Sequence, residues 1–234
     1  MRIRRVVTTR RGGVSVAPYA SFNMGAHVGD RPEAVAANRE RLAAGIGLFP
    51  QRLVWMEQVH GRTVTVVDGP RSHPVPATDA LVTVAPRLAV AALIADCVPV
   101  LLADPVRKVV AAVHAGRAGA RAGVLPAALE TMQRLGACIK EVEVLLGPSA
   151  CGQCYEVPDW MQADVEARLP GSACRTRRGT AGLDLRAGLW RQLEKAGVAH
   201  IGVDPRCTIE DSTLYSYRRD GVTGRFAAIT WFEE

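Results

Sequence analysis

Five histidines and six cysteines are few enough, in 234 residues, to weigh singly. His60 follows an apolar run and precedes Gly61; Cys97 follows Asp96 at the end of a second run; His114 closes a third and precedes Ala115-Gly116. Two imidazoles and a thiolate make an open zinc site with a fourth position left for water, and water bound to zinc becomes nucleophilic near neutral pH. The same thiol and imidazole could work without metal, as a nucleophile and its base. They could also be structural: a buried thiol and satisfied histidines. The intervals of 37 residues (60 to 97) and 17 residues (97 to 114) form no local ligand motif and leave these readings open. Asp96 is the candidate proton carrier, or else a group that orients a ligand or caps the strand end.

The remaining reactive residues are less pointed. Cys151-Gly152-Gln153-Cys154 is a C-x-x-C without a second pair at zinc-ribbon spacing, and it reads as a loop with two free thiols. No His-x-Glu accompanies it, which excludes a zinc deaminase signature. His27 and His73 fall in loops and read as solvated, and His200 reads as structural. Arg218-Arg219 and Arg225, close to Tyr215-Ser216-Tyr217, form a basic loop that could hold an anion.

The elements that must position these groups lie mainly in Leu88–Gly123. Three apolar runs of strand length, 88–95, 98–103 and 109–113, place Asp96-Cys97 and His114 at strand ends, where open sheets often build their sites. Further strands are expected at 3–9, 53–56, 63–67, 80–84, 142–146, 201–203 and 226–231. Helices are expected from Pro32 to Gly45, with Val35, Ala36, Leu42, Ala43 and Ile46 as the apolar side, from Gly123 to about Leu135, from Pro158 through Leu169, and over 185–196. Strands that follow one another without a helix point to mixed sheets with helices outside them.

Length and composition agree with one soluble globular unit, since no linker divides the chain. The net charge of +6 comes from arginines spread along the chain, with only four each of Phe, Tyr and Trp to stack on bases, so nucleic acid is not expected as a partner. The basic N-terminus lacks the apolar core of a signal peptide, and the longest apolar stretch is cut by Asp96 and Pro99. A cytoplasmic protein with reduced thiols and no membrane association is expected.

With these residues assembled, the chain resembles the laccase-domain (YfiH-type) family, also labelled polyphenol oxidase or purine nucleoside phosphorylase. The resemblance rests on ordered blocks: SFNMGAHVGD (21–30) with Asn38-Arg39, QVHG (58–61), TDALVT (78–83), ADCVPVLLAD (95–104), AAVHAG (111–116) and CTIEDSTLYSYRRDGVTGRFAAI (207–229). A looser block is GPSACGQCYEV (147–157). It implies an α/β (α+β) protein of four layers, α/β/β/α, with mixed sheets and one domain over 1–234. It also implies zinc on His60, Cys97 and His114, with copper able to enter the same site. The family usually reads H-A-G-W-R-G where this chain has His114-Ala115-Gly116-Arg117-Ala118-Gly119, so an anion there would fall to Arg117 or Arg121.

The implied activity is phosphorolysis of adenosine, inosine or methylthioadenosine, with adenosine deamination beside it, by a monomer or weak homodimer. Asn23, Gln58, Arg117, Arg121 and Arg218 are the expected substrate contacts. A metal-independent cysteine hydrolase of amides or of cell-wall precursors is the alternative, with Cys97 as nucleophile and His114 as base. Copper oxidation of phenols is disfavoured, because a multicopper oxidase needs His-x-His pairs and many more than five histidines. A binding module without catalysis is the remaining class.

Overall fold

The computed structural model describes residues 2–233. In chain order its elements are β1 (Ile3–Val7), α1 (Pro32–Gly45), β2 (Leu53–Val54), β3 (Val64–Val66), β4 (Ala80–Thr83), β5 (Ala89–Ile94), β6 (Val98–Asp104) and β7 (Val109–Ala115). Then come α2 (Arg117–Ala122), α3 (Val124–Arg134), β8 (Glu143–Leu146), α4 (Asp159–Arg168), β9 (Ala173–Arg175), β10 (Ala181–Leu183), α5 (Leu185–Ala196), β11 (His200–Val203), α6 (Tyr217–Asp220) and β12 (Phe226–Phe232). One sheet has the order β1-β12-β5-β2, a second has β11-β8-β6-β7-β4-β3, and β9 pairs with β10 as a hairpin. Both larger sheets mix parallel and antiparallel pairs.

Side chains alternate across a strand, and this period of two sorts the apolar runs into layers. On one face of the six-stranded sheet, Val82, Val100, Leu102, Ala111 and Val113 pack on Leu125 and Leu129 of α3, Val165 of α4 and Leu189 of α5. On the other face Leu81, Leu101, Ala103, Val110 and Ala112 meet Val90, Ala92, Phe226 and Ala228 of the four-stranded sheet. That sheet's outer face, Ala91, Leu93, Ala227 and Ile229, packs on Leu42 of α1 with Met24 and Trp55. The result is α/β/β/α, and burial on both faces is why the central strands read as continuous apolar runs.

Several expectations shift. Strands β1, β2 and β3 are shorter than the apolar runs suggested. Helix α1 buries Ala34, Val35, Asn38, Leu42 and Ala43, while Ala36 is exposed. Helices α2 and α6 and the β9–β10 hairpin were not expected; none carries an apolar stripe long enough to announce itself. Among the described residues, no helix is long and apolar enough to cross a membrane.

The most consequential feature for the site is the step from β5 to β6. These strands belong to different sheets, so Ala95, Asp96 and Cys97 carry the chain from one layer to the next. Asp96 makes the corner with φ of +91°, a conformation that costs a non-glycine residue about 1–3 kcal/mol.

Candidate active site

Cys97 emerges from that corner, His114 from the end of β7 and His60 from the loop after β2. Their ligand atoms all lie within 4.8 Å of one another. Cys97 Sγ is 3.8 Å from His60 Nε2, and the two imidazole rings meet edge to face with centroids 4.7 Å apart. His114 is buried, Cys97 half-buried and His60 exposed, so the cluster opens on the His60 side.

Asp79, at the start of β4, organises two of the three. Its fully buried carboxylate accepts the N–H groups of Val59 (3.3 Å), His60 (3.0 Å) and Gly61 (2.7 Å), which folds the Gln58–Gly61 loop around it. It also holds His114 Nδ1 at 2.9 Å. This leaves Nε2 of His114 for a ligand, the arrangement by which carboxylates orient metal-binding histidines. His60 itself has φ of +58°. A Cβ on Gly116 would fall 2.8 Å from His60 Cδ2 and 3.0 Å from Cys97 Sγ. One on Gly119 would fall 2.7 Å from Gly61 O, so a residue without a side chain lets α2 close on the loop.

The charges are those of a thiolate–imidazolium pair braced by Asp79, and a metal entering the cluster would displace the proton of His114. Burial alone would push the Cys97 thiol up, but His114 and His60 outweigh it and bring it down to about 6. Burial works against a charged His114, yet Cys97 and Asp79 raise it to about 9. Burial also opposes ionisation of Asp79, and its bonds to His114 and Gly61 lower it regardless. Two nitrogens and one sulfur, pre-oriented and open on one side, fit zinc or copper.

These residues share a cavity of about 600 Å³ with Arg117, Arg218 and Arg225. Tyr155 and Tyr217 also line it, each beneath a guanidinium: Arg218 lies 5.1 Å from the Tyr155 ring centroid and Arg225 6.0 Å from that of Tyr217. His27, read from sequence as solvated, lines the cavity; partial desolvation there and then the charges of Arg225 and Arg39 lower its pKa, which favours the neutral ring.

The other expected residues divide. Asp96 lines the cavity, but Oδ1 accepts from Thr208 Oγ1 (2.6 Å) and Oδ2 from Arg218 N (2.7 Å). Both oxygens are engaged, as in an orienting group. Gln58 lines the cavity while its amide bridges Leu93 N (2.7 Å) and O (2.9 Å). Asn23 lies outside the cavity lining, fully buried and bonded to Gly25, Asp30 and Arg225 N. Arg121 also lies outside it, in an ion pair with Asp164 on α4. Sequence reasoning missed Asp79 and Tyr155 as site groups and raised Arg225 only as part of a basic loop that could hold an anion; for Asp79 the available signal was an acid placed directly before a buried strand.

Comparison with known proteins places the chain as a whole. The family model described as multi-copper polyphenol oxidoreductase laccase matches residues 4–233. A protein of Mycobacterium tuberculosis named purine nucleoside phosphorylase is 58% identical over 233 residues, covering 100% of this chain and 93% of that protein. The crystal structure of YlmD from Geobacillus stearothermophilus matches with a TM-score of 0.93 and 34% identity, covering 99% of this chain and 92% of the other. That of the hypothetical protein YfiH from Bacillus licheniformis gives 0.92 and 31%, covering 99% and 93%.

Proposed function

Since the chain belongs to the multi-copper polyphenol oxidoreductase laccase family, we propose that it works as its 58% identical relative is named, a purine nucleoside phosphorylase. Adenosine, inosine and methylthioadenosine are the proposed nucleosides, phosphate the co-substrate and zinc the metal, with adenosine deamination as a side activity. The observation that carries this reading is the single cavity lined both by His60, Cys97 and His114 and by Arg117, Arg218 and Arg225.

In phosphorolysis a phosphate oxygen bonds to C1′ of the ribose as the C1′–N9 bond breaks, and the departing base takes up a proton. Guanidinium groups suit the phosphate, which they bind through paired N–H donors. Arg225 is held by the carbonyls of Thr223 (3.0 Å) and Gly224 (2.9 Å), and Arg218 by that of Glu156 (3.2 Å), so both are placed before substrate arrives. Asp96 is a positioning residue: it fixes Arg218 through the backbone. Tyr155 and Tyr217 offer aromatic faces to the purine. Neutral His27 offers one donor and one acceptor nitrogen. Zinc held by His60, Cys97 and His114 would supply an electrophile with a free coordination position.

A second reading has one observation in its favour. Cys97 beside His114, whose Nδ1 is held by Asp79 at 2.9 Å, is also the makings of a thiol and base, which would hydrolyse amides or cell-wall precursors without metal. Copper oxidation of phenols is disfavoured, since the cluster gathers three ligands, enough for one ion.

Protein of known metal content would be incubated with adenosine and with inosine, each with and without phosphate, and the products identified by mass. Release of free base that needs phosphate, tracks zinc and is lost in Cys97→Ala is the expected result. Arg225→Ala is expected to raise KM for phosphate about 10- to 100-fold, the worth of a charged hydrogen bond. No turnover in zinc-loaded protein would end the phosphorylase reading for these nucleosides, and amide hydrolysis that survives chelation would establish the second.

A further inference from the structure

The C-x-x-C read from sequence as two free thiols does not stand alone. Cys151 and Cys154 are joined by Cys207, 53 positions after Cys154, and by Glu210, and one ligand atom from each lies within 4.8 Å of all the others. We infer that these four residues form a second, structural site for a zinc-class divalent cation, separate from the cluster of His60, Cys97 and His114.

Four observations support it. Around tetrahedral zinc with bonds of about 2.3 Å, sulfurs stand about 3.8 Å apart, so the present spacing needs only a small closure. The peptide at 151–154 is already turned, with Cys154 N and Tyr155 N both donating to Cys151 O (3.0 and 2.9 Å), which presents both thiols to one side. Cys207 Sγ accepts the N–H of Cys151 at 3.4 Å, a contact that ties the third sulfur directly to the C-x-x-C turn. Three thiolates and a carboxylate around a divalent cation leave two negative charges, and Arg177 stands ready against them. Its guanidinium pairs with Glu210 and donates to Gln153 Oε1 (3.1 Å) inside the C-x-x-C itself. A disulfide between any two of the three thiols would leave the third and Glu210 without a role.

The site would brace the cavity. Ala150 N donates to Asp96 O at 3.0 Å, Tyr155 follows Cys154 directly, and Thr208 follows Cys207 and donates to Asp96. A cation there ties the 147–157 segment to the 204–211 segment, each of which touches the Asp96 corner.

The test is metal stoichiometry on the full chain, purified under reducing conditions, reconstituted with zinc and freed of loose metal by gel filtration. Wild type should hold roughly two zinc ions per chain, and Cys97→Ala and Cys154→Ser roughly one each. Cobalt substituted into Cys97→Ala should show the near-ultraviolet charge-transfer band of several thiolates. Folded, reduced Cys97→Ala that holds no metal would overturn the inference, as would Cys154→Ser that holds as much as wild type. Cys207 is buried and its replacement risks the fold, so half-exposed Cys154 is the variant of choice, and the Cys97→Ala measurement disturbs neither.

Discussion

Gly116 shows how tightly single atoms govern the first site. Two of the three ligands lie over the place where its side chain would be. Gly116→Ala should therefore displace His60 or Cys97 and weaken metal binding there, while the rest of the fold keeps its far-ultraviolet spectrum. Asp79→Asn acts from the other side, removing the charge that orients His114 and gathers the loop of His60; about 10- to 100-fold loss of zinc affinity is expected. Competition against a chromophoric chelator would measure both, and unchanged affinity in Asp79→Asn would show that the carboxylate is dispensable. His60, Cys97 and His114 were raised as candidates by residue type beside apolar runs, but their spacing left the role open, and only the family resemblance joined them into one metal set. Asp79 was not raised, because its role depends on three backbone N–H groups and one imidazole brought together from residues 59–61 and 114.

At the scale of elements, α2 was the piece that sequence did not disclose. Its six residues, Arg117–Ala122, are all Arg, Ala or Gly, without an apolar period to betray a helix. Once formed, it separates two arginines that sequence treated alike: Arg117 lines the cavity and Arg121 pairs with Asp164. The hairpin β9–β10 was hidden for a similar reason, since its turn holds Arg177, Arg178 and Gly179 in place of alternating apolar residues. Glu166 on α4 fastens that hairpin, accepting Gly171 N (2.8 Å) and Ala173 N (2.7 Å). Burial opposes its ionisation, but these N–H groups hold its carboxyl below the usual range. A carboxyl lowered by folding stabilises above its unfolded pKa and loses that contribution as pH falls through the folded value. Glu166→Gln should thus cost about 1–2 kcal/mol at neutral pH. The deficit should shrink as pH drops below about 4.3, the usual value for glutamate. Urea unfolding across pH 3–7 would read it, and a deficit independent of pH would refute the assignment.

For the molecule as a whole, the seam between the two sheets is one of its fully buried apolar layers. Leu101 is fully buried between the sheets, and Leu101→Ala should cost about 2–5 kcal/mol in chemical unfolding. Val16→Ala, at a side chain 57% exposed, should stay within about 0.5 kcal/mol. The apolar runs announced buried strands, yet a run buried on both faces does not reveal which sheet it joins. The transfer of the chain between layers at Asp96 could therefore not be read from residue types; only the family resemblance carried the four layers. Strand β12 shows what such an order entails. It lies between β1 and β5, with Ile3 opposite Phe232. During synthesis β1 leaves the ribosome long before β12, and until residues 226–232 emerge β1 lacks its partner and β5 has an open edge on one side. A message truncated just ahead of that strand would thus yield not a weakened protein but a client for chaperones and proteases.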